Sequence, residues 1–437
     1  MKQLNQTIVE RGAEWLLLAL VFLLPWQTRW IAIPGLLNDS AWEYGSVSLY
    51  AIDILVVVFL LFAGVHLLAE RKNYRPTISQ WLAILLVIIG FFSIAFADNR
   101  ISALFWWAKL AEGVALFIFI PQLHLQTRRI GLALLASGTI QSLLAFSQVI
   151  MQRVVGTKWL GMATQDPATL GVTVVESNGE RLLRAYGSLP HPNMLAGFLV
   201  VTLLIGLLLY MQEERRMWRL VIAIGITFSS VGLWTTLSRQ GILALGLALG
   251  LFVLSTFLTS KHFPRRAALA VTYVLLPFFT FAVIFPQITL TRTSGDTRLE
   301  HHSVAERKLY LQQSESLLRT DWVTGVGIGN YTAELQKRDD EDNITNPSYS
   351  YQPVHNIYIL TFTELGIFGF IVFLCFILSL TYRRDWLDPQ TRYYGFAVLA
   401  VLIIGIFDHY LWTLHFGILL FWLTAALFEH TNQRRAT

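Results

Sequence analysis

Three short stretches of this chain combine basic side chains with residues that begin helices. They are Arg184-Ala-Tyr-Gly-Ser-Leu-Pro-His191-Pro-Asn193, Leu237-Ser-Arg239-Gln-Gly241 and Val354-His355-Asn356-Ile-Tyr358. Guanidinium groups bind phosphate through paired hydrogen bonds. Imidazole is the side chain best suited to accept a proton near neutral pH. These residue types therefore indicate a site for an anionic substrate, with a histidine available for proton transfer.

The first stretch leads directly into an apolar run. Pro192 fits the first position of a helix and places Asn193 in the first turn. The unpaired backbone N–H groups at such a helix start attract anions. We therefore expect His191 and Asn193 to support an anion site with Arg184. The alternative is an ordinary capped helix start, with Arg184 contacting lipid phosphate.

The second stretch places Arg239 in a tight turn between two apolar runs. An arginine so close to hydrocarbon is costly unless it is paired or reaches water. The other short loops predicted on the same side of the membrane as Arg239 avoid basic residues, which favours a functional role for Arg239. The alternative is a side chain that simply extends to the membrane interface.

Arg307 lies in a segment, 297–320, that has helical spacing. One predicted face of this helix carries Val304, Arg307, Leu311, Ser314 and Leu318. Because Arg307 would then face the protein rather than water, it needs an anionic partner. That partner is either a phosphate group or an internal carboxylate.

His355 lies where a long polar segment ends and an apolar run begins. A lone histidine at a helix start is more often structural than catalytic, so its position alone does not assign chemistry. Glu364 follows Asn356 by about two helical turns, inside the apolar run, and must be paired, protonated or solvated there. It either supports the site or holds two helices together.

The composition is that of an integral membrane protein. Of 437 residues, 54% are hydrophobic and only 14% are charged, whereas soluble domains carry about 25% charged residues. The formal net charge of +5 does not indicate nucleic-acid binding, because the basic residues lie in short loops between apolar runs. The single cysteine, Cys375, excludes an intrachain disulfide.

We predict an all-α polytopic membrane protein with about twelve transmembrane helices. The predicted spans are 13–33, 50–69, 78–97, 101–123, 130–151, 191–211, 219–237, 240–259, 267–288, 356–381, 393–410 and 414–430. Basic residues concentrate in alternate loops, which assigns those loops and both termini to the cytoplasm. Five residues then lie on the opposite face, where we expect them to share one cavity: Arg184, His191, Arg239, Arg307 and His355.

Two predicted outer segments are too long to be simple connectors. The first, 152–190, contains a strand-like stretch at 171–175 that predicts a small hairpin. The second, 287–355, is predicted to be a large helical loop. It would separate two transmembrane bundles, 1–286 and 356–437.

Three other features have simpler explanations than a site. The stretch Gly325-Val-Gly-Ile-Gly329 lacks the strand–helix–strand context of a nucleotide-binding loop, so we expect a turn that packs closely against other backbone. The acidic run 339–342 is expected to be a solvated surface rather than a metal site. Lys109 and Glu112, three residues apart within a span, are expected to neutralise each other.

Taken in order, these motifs resemble the O-antigen ligase and polymerase superfamily. The pattern is Arg-x-x-Gly-x-x-x-His-Pro-Asn before a span, Ser-Arg-x-Gly at a short turn, and a long loop that ends in His-Asn before Glu-Leu-Gly. The loop stretch Asp321-Trp-Val-Thr-Gly-Val-Gly-Ile-Gly-Asn-Tyr331 is also similar to the large loop of that superfamily. The likeness covers residues 180–375.

This resemblance implies a GT-C-type membrane glycosyltransferase in the bacterial inner membrane, with a large periplasmic loop and an active site that faces the periplasm. It implies a glycan donor linked to undecaprenyl diphosphate and an acceptor hydroxyl on lipid A–core oligosaccharide. Membrane lipids would surround the protein, and no cofactor, metal ion or nucleic acid would take part in the transfer.

Carried over by position, His355 would be the catalytic base. Three arginines would bind the diphosphate: Arg184, Arg239 and Arg307. Four residues would have supporting roles: His191, Asn193, Asn356 and Glu364. Attack opposite the leaving diphosphate would invert the anomeric centre.

Alternatives stay open at this stage. An O-antigen polymerase would join repeat units instead of passing the glycan to lipid A–core, and relatives also transfer glycans to proteins. A transporter of lipid-linked or anionic solutes belongs to a different class. Few charges lie mid-span and no internal repeat is detectable, which disfavours transport.

Overall fold

The computed structural model describes residues 2–38, 40–70, 75–177, 179–259, 264–294, 298–344, 346–382 and 384–433. Within them the chain is mostly helical, with three short two-stranded antiparallel sheets. Among these described residues, ten helices are long and apolar enough to cross a membrane. The prediction of an all-α polytopic membrane protein is confirmed.

In chain order the helices are α1 (Lys2–Leu23), α2 (Ala51–Glu70), α3 (Ile78–Ser93), α4 (Arg100–Phe119), α5 (Thr127–Met151), α6 (Pro192–Gln212), α7 (Arg216–Thr235), α8 (Arg239–Thr259), α9 (Arg265–Ile284), α10 (Pro286–Ser294), α11 (Arg298–Asp321), α12 (Tyr331–Glu341), α13 (Ile357–Thr381), α14 (Pro389–Phe407), α15 (Tyr410–Thr413) and α16 (His415–Gln433). The paired strands are β1 (Arg29–Ile33) with β4 (Val47–Tyr50), β2 (Leu36–Leu37) with β3 (Ser40–Ala41), and β5 (Val174–Ser177) with β6 (Glu180–Leu183).

Contacts divide the chain into two compact units. The first unit comprises residues 1–28, 123–302 and 385–404, and the second comprises 29–122, 303–384 and 405–437. The division by sequence order into two bundles and a loop stays a prediction.

The first unit is built around α6, which packs against α5, α7, α8 and α9. The apolar stretch of α6 is 94% buried, as expected for a helix that is hydrophobic on every side. Glycines on its neighbours allow this close approach. A Cβ on Gly138 of α5 would lie 2.5 Å from the Thr202 side chain of α6, and small residues at such positions are typical of helix packing in membranes.

The second unit packs α13 against α3, and α16 against α4. Helix α13 is interrupted at Gly366, whose backbone has φ +66° and ψ −171°. The glycine-rich turn fills this break. Val326 N donates to Thr363 O at 3.0 Å, Gly327 N donates to Glu364 O at 3.0 Å, and Ile367 N donates to Trp322 O at 2.9 Å.

The close backbone packing predicted for this turn is confirmed. A Cβ on Gly325 would lie 2.3 Å from Glu364 O, and one on Gly366 would lie 2.1 Å from Val323 O. Both glycines also have positive φ, which other residues adopt only with strain. The two segments can therefore meet only because both carry glycine.

Several predicted boundaries are wrong. The first span was expected at 13–33, but α1 ends at Leu23 and residues 29–33 form strand β1. The apolar character of Trp30, Ile31 and Ile33 extends the hydropathy signal past the helix. The span expected at 267–288 ends at Ile284, and a new helix begins at Pro286. The hairpin expected around 171–175 exists, but its strands are Val174–Ser177 and Glu180–Leu183.

Candidate active site

In the first unit, the first two motifs meet at the buried side chain of Arg184. Its Nε donates to Thr236 O at 2.8 Å, and its Nη2 donates to Asn193 Oδ1 at 2.8 Å. Ser238 Oγ donates to the same Asn193 oxygen at 3.0 Å. Arg184 is only 7% exposed, so its charge is held within the protein by carbonyl-type oxygens. The residue thus joins the start of α6 to the turn before α8.

His191 caps α6, as the placement of Pro192 in the first turn predicted. The His191 ring accepts a hydrogen bond at Nδ1 from Asn193 N at 3.1 Å. One of the N–H groups at this helix start is therefore satisfied by the chain itself. The acceptor role also shows that this nitrogen carries no proton in the structure.

Arg239 is the first residue of α8 and its side chain is exposed. It was expected in a turn between two spans, and the turn consists of the residues just before it. Leu237 has a positive φ of 50°, and Ser238 N donates to Thr236 Oγ1 at 3.2 Å. Because Arg184 and Asn193 hold this turn, they fix the point from which Arg239 projects.

In the second unit, His355 lies two residues before α13, between two aromatic rings. It is stacked on Tyr310 with ring centroids 5.5 Å apart and an angle of 7° between the planes. It meets His409 edge to face, with centroids 4.8 Å apart. Its Nδ1 is buried, and the described residues give that atom no hydrogen-bond partner. The ring orientation is therefore fixed while one nitrogen remains available.

Asn356 holds this end of α13 in place. Its Oδ1 accepts from Tyr358 N and Ile359 N at 3.0 Å each, which caps the helix. Its Nδ2 donates to Ile406 O at 3.1 Å, at the end of α14. Asn356 therefore positions its neighbour His355, which agrees with a supporting role.

The environment lowers the pKa of His355 below its usual value. Burial is the largest cause, Asp408 acts in the opposite direction, and the positive charge of Arg307 lowers the pKa further. Glu306 also opposes the decrease. This lowering favours the neutral imidazole, whose lone pair can accept a proton.

Arg307 faces the protein as predicted, but the apolar stripe of its helix was assigned in part to the wrong residues. Val304 and Leu311 are 62% and 47% exposed. The buried face of α11 instead carries Tyr310, Ser314 and Leu317. Adjacent faces of a helix differ by only a small rotation about its axis, which explains why Val304 and Leu311 were assigned to the buried face. Arg307 itself is half-buried, and among the described residues it has no carboxylate partner.

Glu364 is buried at the break in α13. Its Oε2 accepts a hydrogen bond from Trp412 Nε1 at 2.8 Å, and its side chain borders a cavity of about 10 Å³. A cavity of this size has room for about one water molecule. Of the two interpretations, contact between helices is directly supported, because Trp412 belongs to α15.

Lys109 and Glu112 were expected to neutralise each other, and they form part of a larger buried group. Lys109 Nζ lies 3.4 Å from Glu112 Oε2 and 2.6 Å from Asp53 Oδ2. His415 Nε2 lies 2.6 Å from Asp53 Oδ1. The group links α2, α4 and α16, so its charges hold three helices together.

The acidic run 339–342 is mostly a surface feature, as predicted. Asp340, Glu341 and Asp342 are exposed. Asp339 is half-buried and its Oδ2 accepts from Tyr351 Oη at 3.0 Å and from Asn346 Nδ2 at 2.8 Å. These bonds give the carboxylate a local structural role.

Residues 224–374 match the family model described as O-antigen ligase. This match supports the O-antigen ligase superfamily for the chain. It supports an O-antigen ligase or polymerase-type membrane enzyme, and the apolar helices indicate a multi-pass membrane protein. A comparison with curated proteins finds no match.

The matched segment contains Arg239, Arg307, His355, Asn356 and Glu364. The residues before it that were assigned by resemblance are Arg184, His191 and Asn193. Within the first unit, the hydrogen bonds of Arg184 join those earlier residues to the turn that precedes Arg239. The expectation of one common cavity for all of them stays a prediction.

Three residues next to His355 were not assigned roles from the sequence. Tyr310 lies on the buried face of α11, and the helical spacing in the sequence predicts a different face. Asp408 and His409 lie more than 50 residues from His355, and nothing in the sequence connects them to it. The feature of the sequence that could have identified Asp408 and His409 is their position side by side within an apolar run, where ionisable residues usually have a function.

Proposed function

We propose that this protein is a glycosyltransferase of the O-antigen ligase type that acts on the periplasmic face of the bacterial inner membrane. It would move a glycan from undecaprenyl diphosphate to a hydroxyl of lipid A–core oligosaccharide, with inversion at the anomeric carbon. The observation that carries this proposal is the environment of His355. Its Nδ1 is buried and has no hydrogen-bond partner among the described residues, and burial and the charge of Arg307 lower its pKa.

His355 supplies the base that this reaction needs. The acceptor hydroxyl loses its proton as its oxygen bonds to the anomeric carbon, and a neutral imidazole can take that proton. Positioned proton transfer contributes about 10²–10⁴-fold to the rate. Stacking on Tyr310 and the cap formed by Asn356 fix the ring, which favours transfer from one defined direction.

The arginines stabilise the leaving group. As the glycosidic bond breaks, negative charge develops on the lipid diphosphate, and a fixed guanidinium group lowers the barrier by meeting that charge. Arg307 suits this role because it is half-buried, electrostatically coupled to His355 and without a carboxylate partner among the described residues. Since the donor already carries a good leaving group, no nucleotide or other energy source is required.

Arg184 and Arg239 are proposed to serve the same diphosphate in different ways. Arg239 is exposed at the start of α8, where the helix dipole disfavours a cation unless an anion is nearby. We assign direct phosphate contact to Arg239. Arg184 already donates to Thr236 O and Asn193 Oδ1, so its main contribution is to hold the turn that presents Arg239.

Purified protein with a lipid-linked donor and lipid A–core acceptor tests the proposal. The products are identified by mass spectrometry, and the configuration of the new bond by NMR. A glycan joined to lipid A–core with inverted configuration is the expected result. Repeat units joined to each other on the carrier would instead assign a polymerase. Donor carried unchanged across a vesicle bilayer, with no covalent product, would overturn the enzyme proposal in favour of transport.

A further inference from the structure

His355, Asp408 and His409 form a group whose chemistry goes beyond proton transfer. Each offers one ligand atom, and these atoms all lie within 4.8 Å of one another. Two imidazole nitrogens and one carboxylate oxygen are a ligand set that suits Zn²⁺ and similar divalent cations. Asp408 and His409 occupy the break between α14 and α15, so small adjustments at one short segment can bring the three atoms together.

The hydrogen bonds of His409 prepare it as a ligand. Its Nδ1 lies 2.6 Å from Thr413 Oγ1, and that hydroxyl donates its only proton to His409 O at 3.2 Å. With the hydroxyl proton on that carbonyl, Thr413 Oγ1 accepts from Nδ1–H, and in this tautomer the lone pair of His409 is on Nε2. Histidines that bind metals usually have their other ring nitrogen fixed by such a bond.

His355 provides the second, independent observation. Its Nδ1 is buried and has no hydrogen-bond partner among the described residues. A buried polar atom without a partner is unfavourable, and a bound cation would satisfy it. The nearby charges are mixed: Asp408 and Glu306 favour a cation, and Arg307 opposes it.

A comparison within the same unit shows why this group is the better candidate. Asp53, Glu112 and His415 also place three ligand atoms within 4.8 Å of one another. There, however, the Lys109 ammonium lies 2.6 Å from Asp53 and 3.4 Å from Glu112. Because the chain supplies its own cation to that group, a metal ion would have to displace it.

We propose that His355, His409 and Asp408 bind Zn²⁺ and that binding blocks glycan transfer. The inhibition rests on the proposed role of His355 as base, whereas the binding does not. A neutral imidazole that gives one nitrogen to a metal carries its proton on the other nitrogen. Neither nitrogen can then accept the proton of the acceptor hydroxyl. The ion is thus an inhibitor at the site and not a participant in the reaction.

The binding is tested with Co²⁺ as a spectroscopic probe for the Zn²⁺ position. Full-length protein is purified in detergent with a tag that contains no histidine, and Co²⁺ is added until its visible absorption saturates. We expect a band that Zn²⁺ removes. His409→Ala and Asp408→Asn should weaken Co²⁺ affinity by at least about tenfold, because even the loss of an outer-shell partner costs about 10–100-fold. His409→Gln serves as the second variant if His409→Ala fails to fold.

The matched control is His415→Gln, which removes a ligand from the other group and should leave the cobalt band unchanged. A band that survives the His409 variants, or that disappears with His415→Gln, would overturn the assignment of the site. So would the absence of any band in the unmodified protein.

Transfer rates with and without Zn²⁺ test the inhibition separately. Zn²⁺ should lower the transfer rate of the unmodified protein by at least about tenfold. It should leave the rate of His409→Gln nearly unchanged. Cobalt binding at this group without inhibition of a working transferase would overturn the blocking role. Cobalt binding by a protein that transfers no glycan would overturn the proposed function and leave the metal site intact.

Discussion

The charges around His355 predict a pH dependence that two substitutions should move in opposite directions. If the neutral imidazole is the base, kcat/KM rises with pH through the pKa of His355 in the free enzyme. Burial and Arg307 lower that pKa, so the midpoint of the rise should lie below about 6.5. Arg307→Gln removes a positive charge and should move the midpoint to higher pH. Asp408→Asn removes a negative charge and should move it to lower pH.

The size of the second effect follows from distance. The carboxylate of Asp408 lies at most 4.8 Å from the ligand nitrogen of His355. Two unit charges so separated interact by roughly 0.9 kcal/mol in water and by roughly 3.5 kcal/mol at an effective dielectric constant of 20. Since one pKa unit corresponds to about 1.4 kcal/mol, the midpoint should fall by about 0.6 to 2.5 pH units.

The assay is the initial rate at low donor concentration, measured across pH with purified protein. Arg307→Lys keeps the charge and should keep the midpoint near that of the unmodified protein, even though the maximal rate falls. Arg319→Gln removes an exposed charge from the same helix, paired with Glu315 at 2.8 Å, and should have no effect on the midpoint. Shifts in the same direction for Arg307→Gln and Asp408→Asn, or no shift in either, would refute the assignment of the acidic limb to His355.

Three further predictions concern the packing that positions the site. Gly325→Ala should lower the free energy of unfolding by at least about 2 kcal/mol, because the alanine would have a positive φ and its Cβ would collide with a carbonyl oxygen. Gly179→Ala should lower it by only about 1 kcal/mol, because Gly179 has φ +81° but open space around it. Equal losses of thermal stability in detergent would contradict this prediction. Arg384→Met should cost about 3–5 kcal/mol by leaving the buried Glu429 unpaired, and adding Glu429→Gln should restore part of the loss, as thermal unfolding would show. Asn193→Ala should cost about 1–3 kcal/mol by removing the oxygen that two donors share, and should lower kcat/KM in the transfer assay; unchanged stability and rate would argue against the network.

Much of the fold could be predicted because long apolar helices leave a strong signal in sequence. The start of α6 followed from Pro192, and the close packing of the glycine-rich turn followed from its composition. The break in α13 could not be predicted, because Glu-Leu-Gly in an apolar run looks like continuous helix. Gly366 leaves the helical conformation at the point where the backbone of residues 322–327 supplies hydrogen bonds.

The sequence predicted individual residues of the candidate site. It did not predict which residues contact them. His355, Asn356 and Arg307 were identified from motif and spacing, yet the residues that determine the chemistry of His355 come from two other segments. Tyr310 and His409 meet it only after the chain has folded. Single-sequence patterns carry no information on such contacts, because they report which face a residue occupies and not what lies opposite.

The most direct test of the central claim is the transfer rate of His355→Gln. Glutamine keeps a polar side chain of similar length but cannot take up a proton, so the protein should remain folded and inserted. The rate of glycan transfer to lipid A–core should fall by about 10²–10⁴-fold, whereas Gln313→Ala on α11 should keep nearly the full rate. A His355→Gln protein that transfers glycan within a few-fold of the unmodified rate would contradict the account.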